Sequence, residues 1–394
     1  MNPVRTLHVD IEGGFGGSSR SLFELIRRLD PARVAPLVAH RQDGPVVGRY
    51  RSIGVPTAHV PEIVSFVPRR GKGARNFAAT LPRLRHLGRA ADRLAQLAKR
   101  HGAELIHLNY EGLFLIGSRL ARRTGLPVVV HCRAHLPDDA WGRWVVRRLL
   151  EFSAHLFFIS PREEARVASL AGNRPVPGEV LWNIAPEPLS RVPFADPPEA
   201  VYLGSLDETK GADRLIEIAS ALDRAGAPPL VIAAYGEARA RPCFAADLAL
   251  RAAPLAHRLA LRGHTAEPET VLAGALALVR PSREDDPWGR DVIEAARAGV
   301  PVLATGTYQG VVEDGVTGWL FAPFDADAMA RRLAALSADP ASWARVSAAA
   351  AAKGARCFAG TSQVRRATAV FERLARPGAQ APASAASSPS RAAV

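Results

Sequence analysis

An acidic loop and the helix that follows it carry the residues whose types and spacing most clearly suggest chemistry. Asp286 closes the loop, Pro287 suits the first position of a helix, and Glu294 lies eight residues after Asp286. Asp286 is also a good N-cap, and Gly299 suits the position just after the end of the helix. Because the N-terminus of a helix attracts phosphate, the layout indicates a site for a ligand that carries phosphate and sugar.

Two apolar runs flank this helix and place it in a sheet. The runs occupy residues 275–279 and 300–304, and Pro, Gly and Ser residues bound them. Runs of this kind are typical of strands that are covered on both faces of a parallel sheet. The helix would then start at the carboxyl edge of the sheet, which is where open α/β sheets bind ligands.

The residues from Asp286 to Glu294 resemble the E-x7-E signature of family 4 glycosyltransferases, with Gly289 and Arg290 between the two acids. Members of this family are retaining enzymes of the GT-B fold and use nucleotide-sugar donors. The resemblance implies that Asp286 lies beside the donor sugar and that Glu294 holds the ribose of the nucleotide.

Both acidic positions also have a simpler interpretation. Asp286 can serve as a helix N-cap alone, and Glu294 can be an ordinary solvated residue of the helix. The first position holds Asp where the family has Glu, and Glu284 or Asp285 lies near enough to take its role. The surrounding order of strand, loop, helix and strand favours the functional interpretation.

A glycine-rich turn near the N-terminus is a second candidate for phosphate binding. Residues 13–17 read Gly-Gly-Phe-Gly-Gly and lie between the first predicted strand and a predicted helix at 18–29. Glycines let the backbone approach a diphosphate while the helix N-terminus faces it. Gly16 and Gly17 resemble the GG loop in the N-terminal domain of the same family. The alternative is a merely tight turn between strand and helix.

A third motif lies in the second half of the chain. Residues 204–211 read Gly-Ser-Leu-Asp-Glu-Thr-Lys-Gly and resemble the family's G-R-x4-K-G loop, whose Arg and Lys neutralise the donor diphosphate. Lys210 is in register with the family lysine, whereas Ser205 stands at the position of the arginine. A surface lysine before a helix is the alternative for Lys210. Arg290 could restore the missing charge, or it could pair with Glu294 one turn further on.

His131 is the second candidate for a catalytic role, beside Asp286. It follows the apolar run 127–130, so it lies at the carboxyl end of a predicted strand. There it would point into the cleft where the donor is expected to bind. Related enzymes often place a histidine there against the donor sugar. A histidine of the core or its rim is an equal alternative. His135 is a weaker candidate for the same role.

The chain shows two successive runs of alternating strands and helices, which predict an α/β protein of two domains. The resemblance makes these the two Rossmann-like, doubly wound domains of the GT-B fold, facing each other across a cleft. The expected parts are an N-terminal, acceptor-side domain at 1–184, a linker at 185–198, a donor-binding domain at 199–360, a helix at 361–376 that crosses back to the first domain, and a disordered tail at 377–394.

Composition limits the other classes of function. The chain has 394 residues and is 48% hydrophobic, which suits two globular domains. No run approaches the ~18 apolar residues of a membrane span, and the start has no recognisable signal peptide. The three cysteines are widely spaced and contain no CxxC pair. They argue against a disulfide framework or a structural zinc site and suit the reducing cytoplasm.

The formal net charge of +13 implies an anionic partner, and the excess is concentrated between residues 69 and 100. Apolar residues from Leu81 to Ala98 recur at helical spacing, which predicts a helix at 81–100 with an arginine face. That face is either solvated or meets an anionic membrane or a phosphorylated acceptor. Nucleic acid is a weaker alternative, because no known RNA or DNA motif accompanies the charge. The basic residues are Arg69, Arg70, Lys72, Arg75, Arg83, Arg85, Arg89, Arg93, Lys99 and Arg100.

The sequence therefore predicts a cytoplasmic, retaining glycosyltransferase of hexosyl type, with a nucleotide-sugar donor and a glycan or lipid-linked acceptor. No cofactor and no metal are expected, because the helix after the acidic run 284–286 matches the metal-free family. A peripheral position on the inner face of the membrane follows if the basic segment binds lipid. One alternative is a catalytically silent subunit that binds sugar nucleotides, since Ser205 and Asp286 depart from the family pattern. Another is a basic RNA-binding protein.

Overall fold

The computed structural model describes residues 2–11, 16–68, 73–237, 242–285 and 288–376. The chain divides into two compact units, of which the first comprises Met1–Leu181 with Thr361–Val394 and the second Trp182–Gly360. The predicted helix at 361–376 is part of the first unit, and the predicted linker at 185–198 contains neither helix nor strand. The predicted tail at 377–394 lies outside the described residues.

Seven parallel strands form the sheet of the first unit. In chain order they are β1 (Val4–Asp10), β2 (Val34–His40), β3 (Thr57–His59), β4 (Leu105–Leu108), β5 (Val128–Cys132), β6 (His155–Phe158) and β7 (Gly178–Val180). Their order in space is β3-β2-β1-β4-β5-β6-β7, so the winding reverses between β1 and β4. Every residue of β4 and β5 is buried, which explains why their sequences are apolar apart from one histidine in each.

Helices connect these strands. They are α1 (Gly17–Ile26), α2 (Pro45–Ser52), α3 (Gly73–Leu84), α4 (Leu87–His101), α5 (Phe114–Thr124), α6 (Ala140–Leu150) and α7 (Pro161–Ala171), with a short 3-10 turn at Glu111–Leu113. The core between helices and sheet is apolar, as the amphipathic helix patterns require.

The basic segment forms two helices instead of the single helix predicted at 81–100. The chain turns between α3 and α4, where the N–H of His86 donates to the carbonyl of Arg83. Pro82 lies in the last turn of α3 and has no N–H to continue the helix. The sequence pattern was periodic across this break, so periodicity alone did not reveal it.

The predicted apolar stripe is confirmed for α4 and is wrong for Leu81. That side chain is 50% exposed on α3. The arginine face is exposed along both helices, although Arg93 pairs with Glu62 at 3.2 Å. Arg69, Arg70 and Lys72 lie outside the described residues. The buried members of the stripe are Leu87, Ala91, Leu94 and Ala98.

Six parallel strands form the sheet of the second unit. They are β8 (Glu199–Leu203), β9 (Val231–Tyr235), β10 (Leu259–Gly263), β11 (Ala277–Arg280), β12 (Val302–Thr305) and β13 (Gly318–Phe321). Their order in space is β10-β9-β8-β11-β12-β13, and the winding reverses between β8 and β11. The strands predicted at 275–279 and 300–304 are confirmed as β11 and β12, each displaced slightly towards the C-terminus.

The helices of the second unit are α8 (Arg214–Arg224), α9 (Pro242–Ala252), α10 (Pro268–Ala273), α11 (Arg290–Arg297), α12 (Ala326–Ala338) and α13 (Pro340–Phe358). As predicted, Gly299 follows α11 and lies in the left-handed region, at φ +66°. A last helix, α14 (Thr361–Ala375), packs on the sheet of the first unit, where the Phe371 ring contacts the rings of His8 and His107.

Candidate functional site

In the second unit, the turn after β8 and the loop after β11 are held against each other. The N–H of Arg283 donates to the carbonyl of Thr209 at 3.0 Å, and its guanidinium donates to the carbonyl of Glu208 at 2.6 Å. The same guanidinium forms a bidentate pair with Asp213 at 2.7 and 2.6 Å. Hydrogen bonding to Arg283 lowers the pKa of Asp213. The turn that carries Lys210 therefore has a defined position beside the acidic loop.

Gly211 fixes the path of this turn. Its φ is +72°, and a Cβ here would lie 2.0 Å from the carbonyl oxygen of Pro281. No other residue fits, because both the left-handed backbone and the close approach exclude a side chain. The geometry of the turn therefore requires the glycine of the Lys-Gly pair that the family motif predicts.

Ser205 brings a hydroxyl, and no positive charge, to the start of the turn. Its hydroxyl donates to Oδ2 of Asp207 at 2.5 Å, and the hydroxyl of Tyr202 donates to its carbonyl at 2.6 Å. The other oxygen of Asp207 accepts from the N–H of Lys210 at 2.8 Å. The half-buried Lys210 side chain is the cation that this turn contributes.

The helix α11 begins at Arg290 and has Gly289 as its N-cap. The start predicted from Asp286 and Pro287 is therefore wrong by three residues. Asp286 and Pro287 themselves lie outside the described residues, so the predicted catalytic position of Asp286 is not described.

The later start of α11 has a tertiary cause. Arg280, the last residue of β11, is buried and pairs with Asp291 in the first turn of α11 at 2.6 Å. Its guanidinium packs against Gly289, where a Cβ would lie only 3.1 Å from Nη1. This buried ion pair sets where the helix begins and overrides the local preference of Asp286 for the N-cap.

Glu294 lies in the second turn of α11 and is only 5% exposed. Its Oε1 accepts from Nη2 of Arg290 at 2.7 Å, and Nη1 of Arg290 donates to the carbonyl of Ile184 at 3.3 Å. The interpretation of Glu294 as a solvated residue is wrong. Of the two alternatives for Arg290, the pair at i,i+4 spacing is present, and its contact with phosphate stays a prediction. Glu294 also lines a small pocket of the second unit, beside Pro186 and Leu272.

Asp285, an alternative first acid, holds the loop after β12. Its two carboxylate oxygens accept from the N–H of Thr307 at 2.7 Å and from its hydroxyl at 2.9 Å. Trp288 is buried against Trp182, with the ring centroids 6.1 Å apart. These contacts hold Asp285 and Trp288 in place.

In the first unit, Gly16 is the N-cap of α1 and Gly17 is its first residue. The N–H of Arg20 donates to the carbonyl of Gly16 at 3.1 Å, and the hydroxyl of Ser21 donates to the carbonyl of Gly17 at 2.8 Å. Residues 12–15 of the glycine-rich turn lie outside the described residues. The two described glycines therefore start a helix next to the carboxyl end of β1.

His131, near the end of β5, is 3% exposed and packed among aromatic rings. Its ring centroid lies 5.6 Å from that of Phe157 and 5.8 Å from that of His107. Burial, reinforced by the charge of Arg133, lowers its pKa well below the ordinary value, so the ring is neutral at neutral pH. This packing corresponds to the core alternative, and contact with a donor sugar stays a prediction. His135 is exposed.

Sequence reasoning missed a group of polar residues that we name the strand-end network. Its members end β1 or follow β4 and β5, and they are joined by hydrogen bonds. Burial raises the pKa of Glu111 in this network to about 7. Polar residues directly after buried strands were the available signal. The network consists of Asp10, Asn109, Glu111 and Arg133.

Across the part of the chain that the structure describes, no three or more His, Cys, Asp or Glu side chains are grouped to hold a metal. The expectation of metal-free chemistry stays a prediction. The same described residues include no helix with the length and apolar character to span a membrane. The three cysteines are free thiols.

Two family models match this chain. One, described as glycosyl transferases group 1, matches residues 190–353, and the other, described as a glycosyl transferase 4-like domain, matches residues 16–183. Together they span most of both units and include every predicted site residue. No curated protein matches the chain.

Several solved structures share the fold. HepE from Anabaena, crystallised with UDP and glucose, has a TM-score of 0.74 at 18% identity, over 94% of this chain and 100% of HepE. A glycosyltransferase from Rickettsia africae has a TM-score of 0.72 at 14% identity, over 95% of this chain and 99% of that chain. Sucrose-phosphate synthase from Thermosynechococcus elongatus has a TM-score of 0.69 at 19% identity, over 94% and 99%. These likenesses confirm the predicted GT-B class with its two Rossmann-like domains.

Proposed function

The chain belongs to the group 1 glycosyl transferases, and from this premise we propose that it moves a hexosyl group from a nucleotide-sugar donor to a glycan or lipid-linked acceptor. We further propose that the sugar keeps its anomeric configuration and that no metal ion takes part. The observation that carries the proposal is the Lys210 turn, which Arg283 holds beside the acidic loop that leads into α11.

The proposed chemistry depends on the leaving group. Breaking the bond between sugar and diphosphate leaves negative charge on the phosphate oxygens, so groups that stabilise that charge lower the barrier. Lys210 supplies a full positive charge, and the backbone N–H groups at the start of α11 supply partial charges. Gly16 and Gly17 offer the same kind of backbone donors at the start of α1.

Glu294 is proposed to hold the ribose. Its carboxylate accepts from Arg290, and a carboxylate is an acceptor of the kind that the hydroxyls of a ribose can donate to. Arg290 fixes the carboxylate before the ligand arrives, which reduces the ordering cost of binding. Asp286 and His131 stay our candidates for contact with the donor sugar.

We propose a uridine diphosphate sugar as the donor. The support is the likeness to HepE, which has been crystallised with UDP and with UDP-glucose. The test is to incubate the purified protein with UDP-glucose and other UDP sugars and to measure the release of UDP and free sugar. Slow hydrolysis or transfer supports an enzyme. Tight binding without turnover would favour the silent sugar-nucleotide-binding subunit, for which Ser205, bonded to Asp207, is the specific argument.

We also propose that the acceptor is reached at an anionic membrane surface on the cytoplasmic side. Ala78, Leu81 and Pro82 are exposed on α3, between the exposed Arg75 and Arg83. A face of this composition combines apolar side chains that can enter the headgroup region with cations that attract anionic lipid. The charge of the segment supports the proposal, and vesicle sedimentation tests it.

A further inference from the structure

The strand-end network fills the carboxyl edge of the sheet of the first unit, at the point where the winding reverses. Asn109 and Glu111 are fully buried, and Asp10 is 1% exposed. Burying an amide and carboxylates in this way is costly unless each of them is hydrogen-bonded. The hydrogen bonds of the network form a continuous chain from the loop after β5 to the first turn of α1, which we call the relay.

The relay starts at Glu111. Its carboxylate accepts from the N–H of Arg133 at 2.7 Å and from the N–H of Ala134 at 3.1 Å. Both oxygens are used, so the backbone directly after β5 is held at two successive residues. This places the Arg133 side chain at a defined point of the sheet edge.

Arg133 connects Asn109 with His131, the predicted catalytic candidate. Its Nε donates to the carbonyl of Asn109 at 2.8 Å, and its Nη2 donates to Oδ1 of Asn109 at 2.7 Å. Nη2 also lies 3.3 Å from Nδ1 of His131. A guanidinium can only donate, so Nδ1 of His131 accepts and the neutral ring carries its proton on Nε2.

Asn109 completes the relay. Its amide nitrogen donates to Oδ1 of Asp10 at 2.9 Å and to the carbonyl of Ser18 at 3.1 Å. Ser18 is the second residue of α1 and directly follows Gly17. Arg133 therefore orients the amide of Asn109 through its oxygen, and the amide nitrogen donates to the first turn of α1.

We propose that Glu111, Arg133 and Asn109 are positioning residues for the donor reaction, which hold the Gly16–Gly17 turn and the His131 ring in their binding geometry. The inference rests on the proposed function, because it assigns to these two elements a contact with the donor. The fork of Arg133 is essential to it, since a lysine cannot donate to two acceptors with fixed geometry.

A purely structural role predicts a different outcome. Replacing a buried, hydrogen-bonded group lowers the stability of the unit in either case. If the network only stabilises the fold, the folded variants bind the nucleotide as the wild type does. If it positions the Gly16–Gly17 turn, ligands with a diphosphate lose affinity while a nucleoside without phosphates does not.

The test compares Asn109→Leu and Arg133→Met with two matched controls in the same unit. Asn76→Leu removes an amide that bonds the carbonyl of Val67, and Arg119→Met removes a guanidinium that bonds a carbonyl of its own helix. Calorimetry measures the affinity for UDP and for uridine at a temperature where all variants are folded. We expect a loss of roughly tenfold for UDP in the two test variants, no change for uridine, and no change in the controls.

Hydrogen exchange tests, without a ligand, whether the relay holds the Gly16–Gly17 turn. The N–H of Arg20 bonds the carbonyl of Gly16, so its exchange rate reports how firmly the turn is held. We expect faster exchange there in Asn109→Leu and Arg133→Met, and the wild-type rate in both controls. If either test variant does not fold, Arg133→Lys, which keeps the charge and removes the fork, replaces it in both measurements, and the same roughly tenfold loss of UDP affinity is expected.

The outcomes separate the two proposals. If the wild type binds UDP and the folded test variants bind it equally well, the positioning role is wrong. If the wild type binds none of UDP, GDP and ADP, the proposed function fails, and the exchange rate at Arg20 still decides whether the relay holds the turn. Unchanged exchange in both test variants overturns the inference in either case.

Discussion

Mild acid should destabilise the first unit, because three histidines are buried side by side on β1, β4 and β5. His8, His107 and His131 are each at most 3% exposed. Nδ1 of His8 lies 2.9 Å from Nδ1 of His107, a contact that needs one nitrogen to accept. Burial lowers the pKa of His8 to about 3 and lowers the pKa values of His107 and His131 well below the ordinary range.

The sign of the effect follows from proton uptake. Below pH 6.5 the unfolded chain binds a proton at each of these histidines, whereas the folded unit keeps them neutral. The free energy of unfolding therefore falls as the pH falls, by about 1.4 kcal/mol per pH unit for each histidine. Their stabilising contribution is complete above pH 6.5 and is lost progressively below it.

Glu111 acts in the opposite direction. Burial raises its pKa from 4.5 to about 7, so between these values the folded state binds the extra proton and gains about 1.4 kcal/mol per pH unit as the pH falls. Burial also raises the pKa of Asp10, which adds to this gain. The losses at three histidines exceed the gains at these two carboxyl groups, so the free energy of unfolding of the first unit falls between pH 6.5 and pH 5.

The assay is urea unfolding from pH 7 to pH 5, with the unfolded fraction of the first unit read by pulse proteolysis and mass spectrometry. His8→Leu should weaken the pH dependence by about 1.4 kcal/mol per pH unit, the value for one proton. The control is His257→Gln, which replaces an exposed histidine of the second unit bonded to Asp223 and should leave the dependence of the first unit unchanged. Equal slopes for wild type and folded His8→Leu would refute the reasoning, as would a wild type equally stable at pH 5 and pH 7.

Three further predictions concern the proposed activity. Sugar release or transfer should survive excess EDTA, and an activity that EDTA abolishes and manganese or magnesium restores would contradict the metal-free proposal. Replacing Arg85, Arg89 and Arg93 with Glu should release the folded protein from anionic vesicles at low salt, and a wild type that never sediments with them would end the membrane proposal. If Arg290 supplies the missing charge, Arg290→Ala should reduce activity and Ser205→Arg should largely restore it. If Arg290 only pairs with Glu294, Ser205→Arg should have the same effect on activity with and without Arg290→Ala.

Apolar patterning predicted the order of strands and helices around the site, because buried parallel strands leave continuous apolar runs. The short motifs at Gly16–Gly17 and at Lys210–Gly211 marked turns whose backbone geometry is special, and Gly211 shows the physical requirement directly. These features are local, so residues close in sequence were enough to find them.

Contacts between distant residues could not be predicted in the same way. The start of α11 depends on Arg280 and Asp291, which meet only after the strand and the helix have folded together. The strand-end network likewise joins Asp10 to Asn109, residues that are 99 positions apart. Their polar types after buried strands were visible in the sequence, but their hydrogen-bond partners were not.

The central claim is that Lys210 and Glu294 bind opposite ends of a nucleoside diphosphate, and calorimetry on two variants tests it most directly. We predict that Lys210→Ala weakens UDP binding roughly ten- to a hundredfold and leaves uridine binding nearly unchanged. We predict that Glu294→Ala weakens both ligands to a similar extent, whereas Glu217→Ala, which removes an exposed carboxylate of α8, affects neither. Unchanged affinities for UDP and uridine in folded Lys210→Ala and Glu294→Ala would contradict the claim.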